Sequence, residues 1–571
     1  MSAVYIALLA LVAFGLAYRL YGGFLAGRLF VVDPRRRTPA HEHEDGIDYV
    51  PTRAGIIFGH HFASIAGLGP LLGPAIGVLW GWLPAFLWIV LGTIFIGAVH
   101  DLAALCLSLR YGGRSVGDVA GDLMGERARM LFLVLVFFIL ALAMGVFVIV
   151  VANLFGKTGP ADRIFYPSAV PPTAGLMLIA VAVGLALRRF PKAFRLVTSL
   201  GVVAMGVSLW VGIRWPFMAM GEITWSFLLL AYCFLASVLP VWLLLQPRDF
   251  INSIGLYLSM GLMYAGLFIL RPLVAAPAIN PSPEGAPPAF PFLFIVIACG
   301  AISGFHSLVA SGTTAKQLDN ERDALPVAYG GMVVEGLMAV MALLACTAGL
   351  GGPDAWAARY SSWGSMEGLG STIAAFVDGS ASFVMAAVGL VGVKGEAASR
   401  FATTFIATVV VSFALTTLDS GTRLLRYNIE EIGKAAGTRF LTNRVLSSML
   451  AVVTIGSFAL MRGPGGKPMG LVLWELFGTT NQLLAALVLL AASLYLYKRG
   501  KSIWFTFLPM LFMLGVTGFA LAKNIAAMLA GGAKSMPLLV VSAGILVLVV
   551  WFVLEAALSF LPSRRAGSVV E

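Results

Sequence analysis

Charge is scarce in this sequence. Asp, Glu, Lys and Arg make up only 11% of its 571 residues, against about 25% in a soluble domain, which excludes an ordinary soluble chain. Cysteine is scarce as well. Cys106, Cys233, Cys299 and Cys346 are the four present, none at CxxC spacing, so neither a disulfide framework nor a zinc site is indicated. There is no P-loop, HExxH or GxSxG, and the Gly-Thr-Thr stretches have no following Lys at Walker spacing. That argues against an enzyme and against an ATP-driven pump, and no cofactor is expected. Basic runs interleaved with aromatics are missing, so the formal charge of +11 points to basic loops at a membrane rather than to nucleic acid.

What is abundant is apolar sequence, 59% of the chain. Stretches of about 20 apolar residues read as membrane spans. About fifteen crossings start near residues 3, 55, 83, 130, 173, 196, 224, 254, 290, 327, 402, 446, 470, 504 and 538. The alternating pattern of β-barrel strands is not seen, so the fold class is an all-α polytopic membrane protein. The first apolar run, Ala3 to Leu20, has no basic leader and no small-residue cleavage site, and reads as a retained span.

Most of the 38 Lys and Arg fall in alternate loops: Arg19 to Arg53, Arg110 to Arg129, Arg188 to Arg195, Arg423 to Arg444, and Lys498 to Lys501. The positive-inside rule then puts the N-terminus of this multi-pass protein outside and its C-terminus in the cytoplasm. Residues 372–393 are interrupted by Asp378, Gly379 and Ser380. If they crossed, Arg423 to Arg444 would land outside, so they read as a re-entrant or external helix. Residues 272–291 and 351–370 become external loops.

Ten spans between 55 and 418 divide into two sets of five, and an odd count inverts one set relative to the other, as in many secondary transporters. The expected organisation is an N-terminal span (1–30), a charged cytoplasmic loop (31–54), a first half of the transport core (55–215), a second half (222–435) and C-terminal accessory helices (445–562). FGHHFASIAGLGPLLGP (58–74) is broken at mid-span near Gly67, Gly69 and Pro70, and FLASVLPVWLLLQP (234–247) near Ser237 and Pro240. Matched interruptions point to a transporter site. The amides after Pro70 and Pro240 are expected to favour an anion; ordinary kinks are the plainer alternative.

Ionisable groups in a membrane span are costly and usually functional. His60, His61, His100 and His306 all fall in or at the ends of apolar segments, and His60-His61, before the first break, is the favoured pair. Ser303, Ser307 and Ser311 recur every four residues and share a helix face, followed by Thr313 and Thr314. That face either lines a polar path or lets helices pack closely. Glu335 has apolar neighbours and suits a proton carrier or a partnered structural role. Asp101 is expected to pair with a basic neighbour such as Arg110. Asp419 is expected to form a gate salt bridge with Arg423 or to cap a helix. Asn481 and Gln482 read as helix–helix glue. His41 and His43, in the loop sequence HEHED, read as solvated, with a metal site as the sharper option.

Several stretches are specific together: FGHHFASIAGLGPLLGP, GAVHDL (97–102), ASVLPVWLLLQPRDF (236–250), SGFHSLVASGTTAKQL (303–318), TTLDSGTR (416–423) and LFGTTNQLLAA (476–486). They resemble the carbon starvation protein family, CstA, over about residues 55–486. The resemblance implies a cytoplasmic-membrane transporter of the amino acid–polyamine–organocation superfamily with a LeuT-like 5+5 inverted-repeat core and extra terminal helices. It implies proton-coupled uptake of pyruvate, or peptide uptake during nutrient limitation. It marks His60, His61, Gly67, Gly69, Pro70, Ser237, Pro240, Ser303, His306, Ser311, Thr313, Thr314 and Asp419.

The expectation is therefore a symporter whose small carboxylate sits between two broken helices. Its binding residues are His61, Ser64, Gly67, Gly69, Pro70, Ser237, Pro240, Ser303, His306 and Ser307. The coupling ion is taken at His60, His61, Glu335, Ser311, Thr313 and Thr314, and the gate is Asp101, Asp419 and Arg423. Partners are pyruvate or a short peptide, a proton or Na⁺, and membrane lipid. A channel, a membrane sensor and an intramembrane enzyme are the rival classes.

Overall fold

The computed structural model describes residues 1–156, 166–217, 220–366, 369–463, 469–530 and 536–560. Among them the chain is helical, with no strand. In a membrane every backbone N–H and C=O must be satisfied internally, and helices do that within one segment. Polar caps start several of them: Ser2 Oγ accepts from Val4 N–H, and Asn443 Oδ1 from Val445 and Leu446.

The elements that position the centre are α1 (Ala3–Leu29), α2 (Ala54–Ile65), α3 (Gly69–Trp80), α4 (Trp82–Arg110), α5 (Glu126–Phe155), α6 (Pro167–Arg189), α7 (Pro191–Arg214), α8 (Glu222–Val238) and α9 (Leu245–Leu270). They continue as α10 (Ala289–Val296), α11 (Gly304–Val309), α12 (Glu321–Ala348), α13 (Leu369–Gly389), α14 (Gly395–Ala435), α15 (Arg444–Leu460), α16 (Met469–Lys498), α17 (Trp504–Ala530) and α18 (Met536–Ser559). Among the described residues, twelve helices are long and apolar enough to cross a membrane, thirteen with the bent pair α2–α3. The fifteen expected crossings exceed that number at identifiable places. Helices α8 and α15 have 17 residues each, and α10–α11 is interrupted, while α13, which is not one of the fifteen, is long enough to cross.

The basic loops gather at one end. Thr52 N–H reaches the Gln317 carbonyl, Val241 N–H reaches Ile47, and Arg36 pairs with Glu321. The start of the chain lies at the opposite end, where Ala3 N–H bonds to Pro272. Helix α13 is long enough to span and packs on α9, α14, α12 and α3. A Cβ on Gly379 would strike the Ala345 carbonyl at the close of α12, and one on Gly266 would strike Phe383. Thr404 near the start of α14 bonds to Ser168 at the start of α6. The expected re-entrant or external segment 372–393 thus falls on a helix long and apolar enough to span.

Helices α5 and α14 lie along each other, and α8 and α15 each pack on both. Helix α9 lies on α2; α16 lies on α11, α4 and α5. The α6–α7 hairpin is peripheral, with only 11% of its second helix buried. Within the expected C-terminal segment 445–562, α15 packs on α5 and α14, and α16 on α11, α4 and α5. Helices α8 and α9 reach α5 and α2 across the expected boundary near residue 220. Residues 561–571, which include the end of the 445–562 segment and the C-terminus, lie outside the described residues.

The expected mid-span break at Ser237–Pro240 is also corrected. Helix α8 ends at Val238, and residues 239–244 turn the chain back into α9 at the basic end. Leu239, held extended ahead of Pro240 (φ −67°, ψ 150°), stops the helix there. The second break lies instead between α10 and α11, at residues 297–303.

Candidate functional site

The two breaks face each other. Helices α2 and α3 meet at 46° across residues 66–68. A Cβ on Gly69 would fall 2.1 Å from Cβ of Cys299, and one on Gly73 would fall 2.6 Å from the Val296 carbonyl. Glycine lets the start of α3 press directly on the unwound 297–303 segment. Asn481 of α16 holds that segment: Oδ1 accepts from Phe305 N–H (2.9 Å) and Nδ2 donates to Ser303 Oγ (2.9 Å). On the other side Ser64 and Ser420 share a hydrogen bond (2.8 Å), and Thr417 donates to the Ser64 carbonyl (3.2 Å). Hydroxyl, amide and thiol groups of α14, α16 and the second break therefore surround the first break.

Two charged clusters flank this centre. In one, Asp101 accepts from or shares protons with His100 Nδ1 (2.8 Å) and His306 Nδ1 (3.0 Å), and His306 Nε2 lies 3.2 Å from Glu335. All four side chains are fully buried. In the other, His60 Nδ1 meets Asp249 at 2.5 Å, and Arg248 binds the opposite Asp249 oxygen through Nη2 (2.6 Å) and Nε (3.1 Å). Arg248 also contacts Asp419, and the Tyr232 hydroxyl joins both, donating to Asp419 and accepting from Arg248. His60 and His61 are consecutive on α2, about 100° apart around the helix, so each serves a different partner. His60 belongs to the Arg248 cluster; His61 Nδ1 bonds Thr314 Oγ1 at 2.9 Å.

The predicted gate pairs do not form. Asp101 faces His100 and His306, while Arg110 turns to Glu321 and the Phe30 carbonyl. Asp419 pairs with Arg248, because Arg423 one turn on is drawn to Asp48 (3.0 Å) and to the carbonyls of Ala236 and Leu239. Asp48 also meets Arg426 and the Tyr427 hydroxyl, so this loop carboxylate clasps the basic end shut.

The serine face is turned inward but uses its protons locally. Ser307 donates to Gly304, Ser311 to Ser307 and Thr313 to Val309 carbonyls. The amides of Leu71 and Leu72 already close on the Leu68 carbonyl, so those after Pro70 are not free for an anion. Pro240 lies in the basic-end turn, and Ser237 bonds Ser448 between α8 and α15. In the HEHED loop His41 pairs with Asp319, and His43 packs on Tyr49.

The residues that sequence reading left without a role are Tyr232, Arg248, Asp249, Thr417 and Ser420. The one available signal was Arg248-Asp249, an ionisable pair beside an apolar run. It read as loop because α9 starts earlier than expected.

A membrane-spanning helical bundle with facing broken helices and buried ionisable groups defines the class: a polytopic membrane transport protein. The profile of the family described as carbon starvation protein CstA matches residues 2–520, and the chain belongs to that family. It is 33% identical to the peptide transporter CstA of Escherichia coli (strain K12) over 571 residues, covering 90% of this chain and 80% of that protein. It is 34% identical to the peptide transporter CstA of Bacillus subtilis (strain 168), covering 87% and 86%. It is 32% identical to the pyruvate/proton symporter BtsT of Escherichia coli (strain K12), covering 92% and 82%.

Proposed function

We propose that the protein is a proton-coupled symporter for pyruvate or a similar small carboxylate in the cytoplasmic membrane, with its N-terminus outside and its C-terminus in the cytoplasm. The observation that carries this reading is the buried His100–Asp101–His306–Glu335 cluster. Two ionised carboxylates beside two neutral imidazoles, all out of water, would carry two unneutralised negative charges. A proton on His306 serves Asp101 and Glu335 together, yet leaves one negative charge. A further exchangeable proton on Glu335 or His100 neutralises the group. A site that gains and loses one proton as water reaches it from alternate sides is what coupling needs. The relative named a pyruvate/proton symporter supports the same cargo.

The substrate lies between the two breaks, with its carboxylate among Ser64, Thr417, Ser420, Ser303 and Asn481. The core is an inverted repeat of five plus five: α2–α3, α4, α5, α8 and α9 against α10–α11, α12, α14, α15 and α16. Supporting this, each set opens on a broken helix and holds a 17-residue helix in fourth place. Uptake into proteoliposomes under an imposed pH gradient, with and without Na⁺, tests the reading. Pyruvate uptake that ignores the pH gradient and follows Na⁺ overturns proton coupling.

Peptide uptake is the second reading. Among the described residues Asp419 Oδ1 has no hydrogen-bond partner beside the Arg248 cation, so the pair offers complementary charges to a zwitterion. A competition panel of keto acids and dipeptides separates the two cargoes.

A further inference from the structure

The basic end is mostly self-neutralised. Arg36 and Arg110 pair with Glu321, Arg114 with Asp122, Arg129 with Asp118, and Arg423 and Arg426 with Asp48. One corner differs. Arg53, Lys192 and Arg195 line a groove with Pro191, Phe194 and Leu196, and Arg188 and Arg189 lie beside it. Among the described residues none of these five cations has a carboxylate partner. Arg53 stacks over the Phe194 ring at 5.5 Å and Arg188 over Trp242 at 4.2 Å, so both guanidiniums are held in place. Arg53, Lys192 and Arg195 are exposed.

The anion that neutralises this corner must come from outside the chain. The surface says which kind. Directly along α7 from the groove, Leu196, Leu200 and Val203 are 63%, 60% and 63% exposed, an apolar strip that suits acyl chains. A headgroup phosphate at the cations with its tails along that strip matches both halves of the surface, whereas a soluble anion matches only one. We infer that the groove between Arg53 and residues 191–196 binds the headgroup of an anionic phospholipid, with its acyl chains along the exposed face of α7. Arg53 is the residue immediately before α2, so the bound lipid ties the base of the first broken helix to the peripheral hairpin.

The test needs no transport assay and so stands apart from the cargo question. The full chain is placed in phosphatidylcholine nanodiscs with a minor fraction of phosphatidylglycerol, and retained phosphatidylglycerol is counted by native mass spectrometry. The triple variant R53Q/K192Q/R195Q is expected to weaken retention on the order of a hundredfold. A control triple of exposed basic residues elsewhere at the same end, R35Q/K434Q/R439Q, is expected to retain it. Equal loss in both triples shows diffuse surface attraction and overturns the site. Inorganic phosphate displacing the lipid at equal concentration shows a free-anion site and overturns the lipid. Photoactivatable phosphatidylglycerol on the unaltered protein gives an independent reading: crosslinks at residues 191–200 support the site, and crosslinks only elsewhere overturn it.

Discussion

Asp48 sits in a loop, yet it closes the basic end of the bundle. Burial pushes its carboxyl pKa up, but Arg426, Arg423 and Lys316, with the Tyr427 hydroxyl, outweigh burial and hold it down to about 2. The folded value lies below the ordinary 3.8. Its contribution to the closed state is therefore full above that value and is lost only as pH falls through about 2. Across pH 5–8 the clasp is constant, so pH dependence of uptake in that window arises elsewhere. Asp48→Asn removes the charge that both arginines share, and is expected to speed labelling of Cys299 by a water-soluble maleimide several-fold, with the other three cysteines replaced. Unchanged labelling would show that the clasp is not a gate. Glu335→Gln keeps a carboxamide of the same shape but cannot exchange the proton. It is expected to abolish gradient-driven uptake while leaving substrate exchange at equal pH, read in the same proteoliposomes. Arg248→Leu leaves Asp249 and Asp419 buried beside an apolar side chain. That loss costs about 3–5 kcal/mol, seen as a lower Tm in detergent, and pairing it with D249N and D419N is expected to restore most of the stability. Sequence reading found His306, Asp101, Glu335 and Asp419 because an ionisable residue in an apolar run is conspicuous. Their partners were not legible, since His306–Asp101 and Arg248–Asp419 join residues far apart in the chain.

At the scale of elements, the site depends on how two unwound segments fit. The first break was legible, because Gly67, Gly69 and Pro70 interrupt one apolar run. The second was not: residues 297–303 contain Gly300 but no proline, and what unwinds them is the packing of α3 on one side and Asn481 on the other. The opposite error occurred at Pro240, a strong helix stop that falls at the end of a span. Proline tells where a helix ends; depth in the bundle depends on where the neighbouring helices start. Gly73→Ala places a methyl 2.6 Å from the Val296 carbonyl and 3.0 Å from Ile297 Cα, backbone that cannot rotate away. It is expected to cost about 1–3 kcal/mol and to cut uptake. Gly15→Ala, with open space around its Cβ, is expected to change neither. Tm and initial uptake rate check both, and equal behaviour of the two variants would remove the argument for close packing of the breaks.

At the scale of the whole molecule, the ends are the checkable feature. A cysteine replacing Glu44 is expected to react from the cytoplasmic side alone, and one replacing Leu390, 73% exposed and next to α13, from the outside alone. Reaction of both from one side would contradict the proposed orientation or the reading of 372–393 as a re-entrant or external segment. Few charges and long apolar runs were enough to determine a membrane bundle, because a span must satisfy its backbone within itself and each helix is thus a local decision. Loop arginines likewise fixed which loops share an end, since that bias is additive along the chain. Which helices touch was decided only in the tertiary structure. The charges that close Asp48 on Arg423, the glycines that admit a second break, and the pairing of α9 with α2 all join distant residues. Their energies exist only once the helices are in contact.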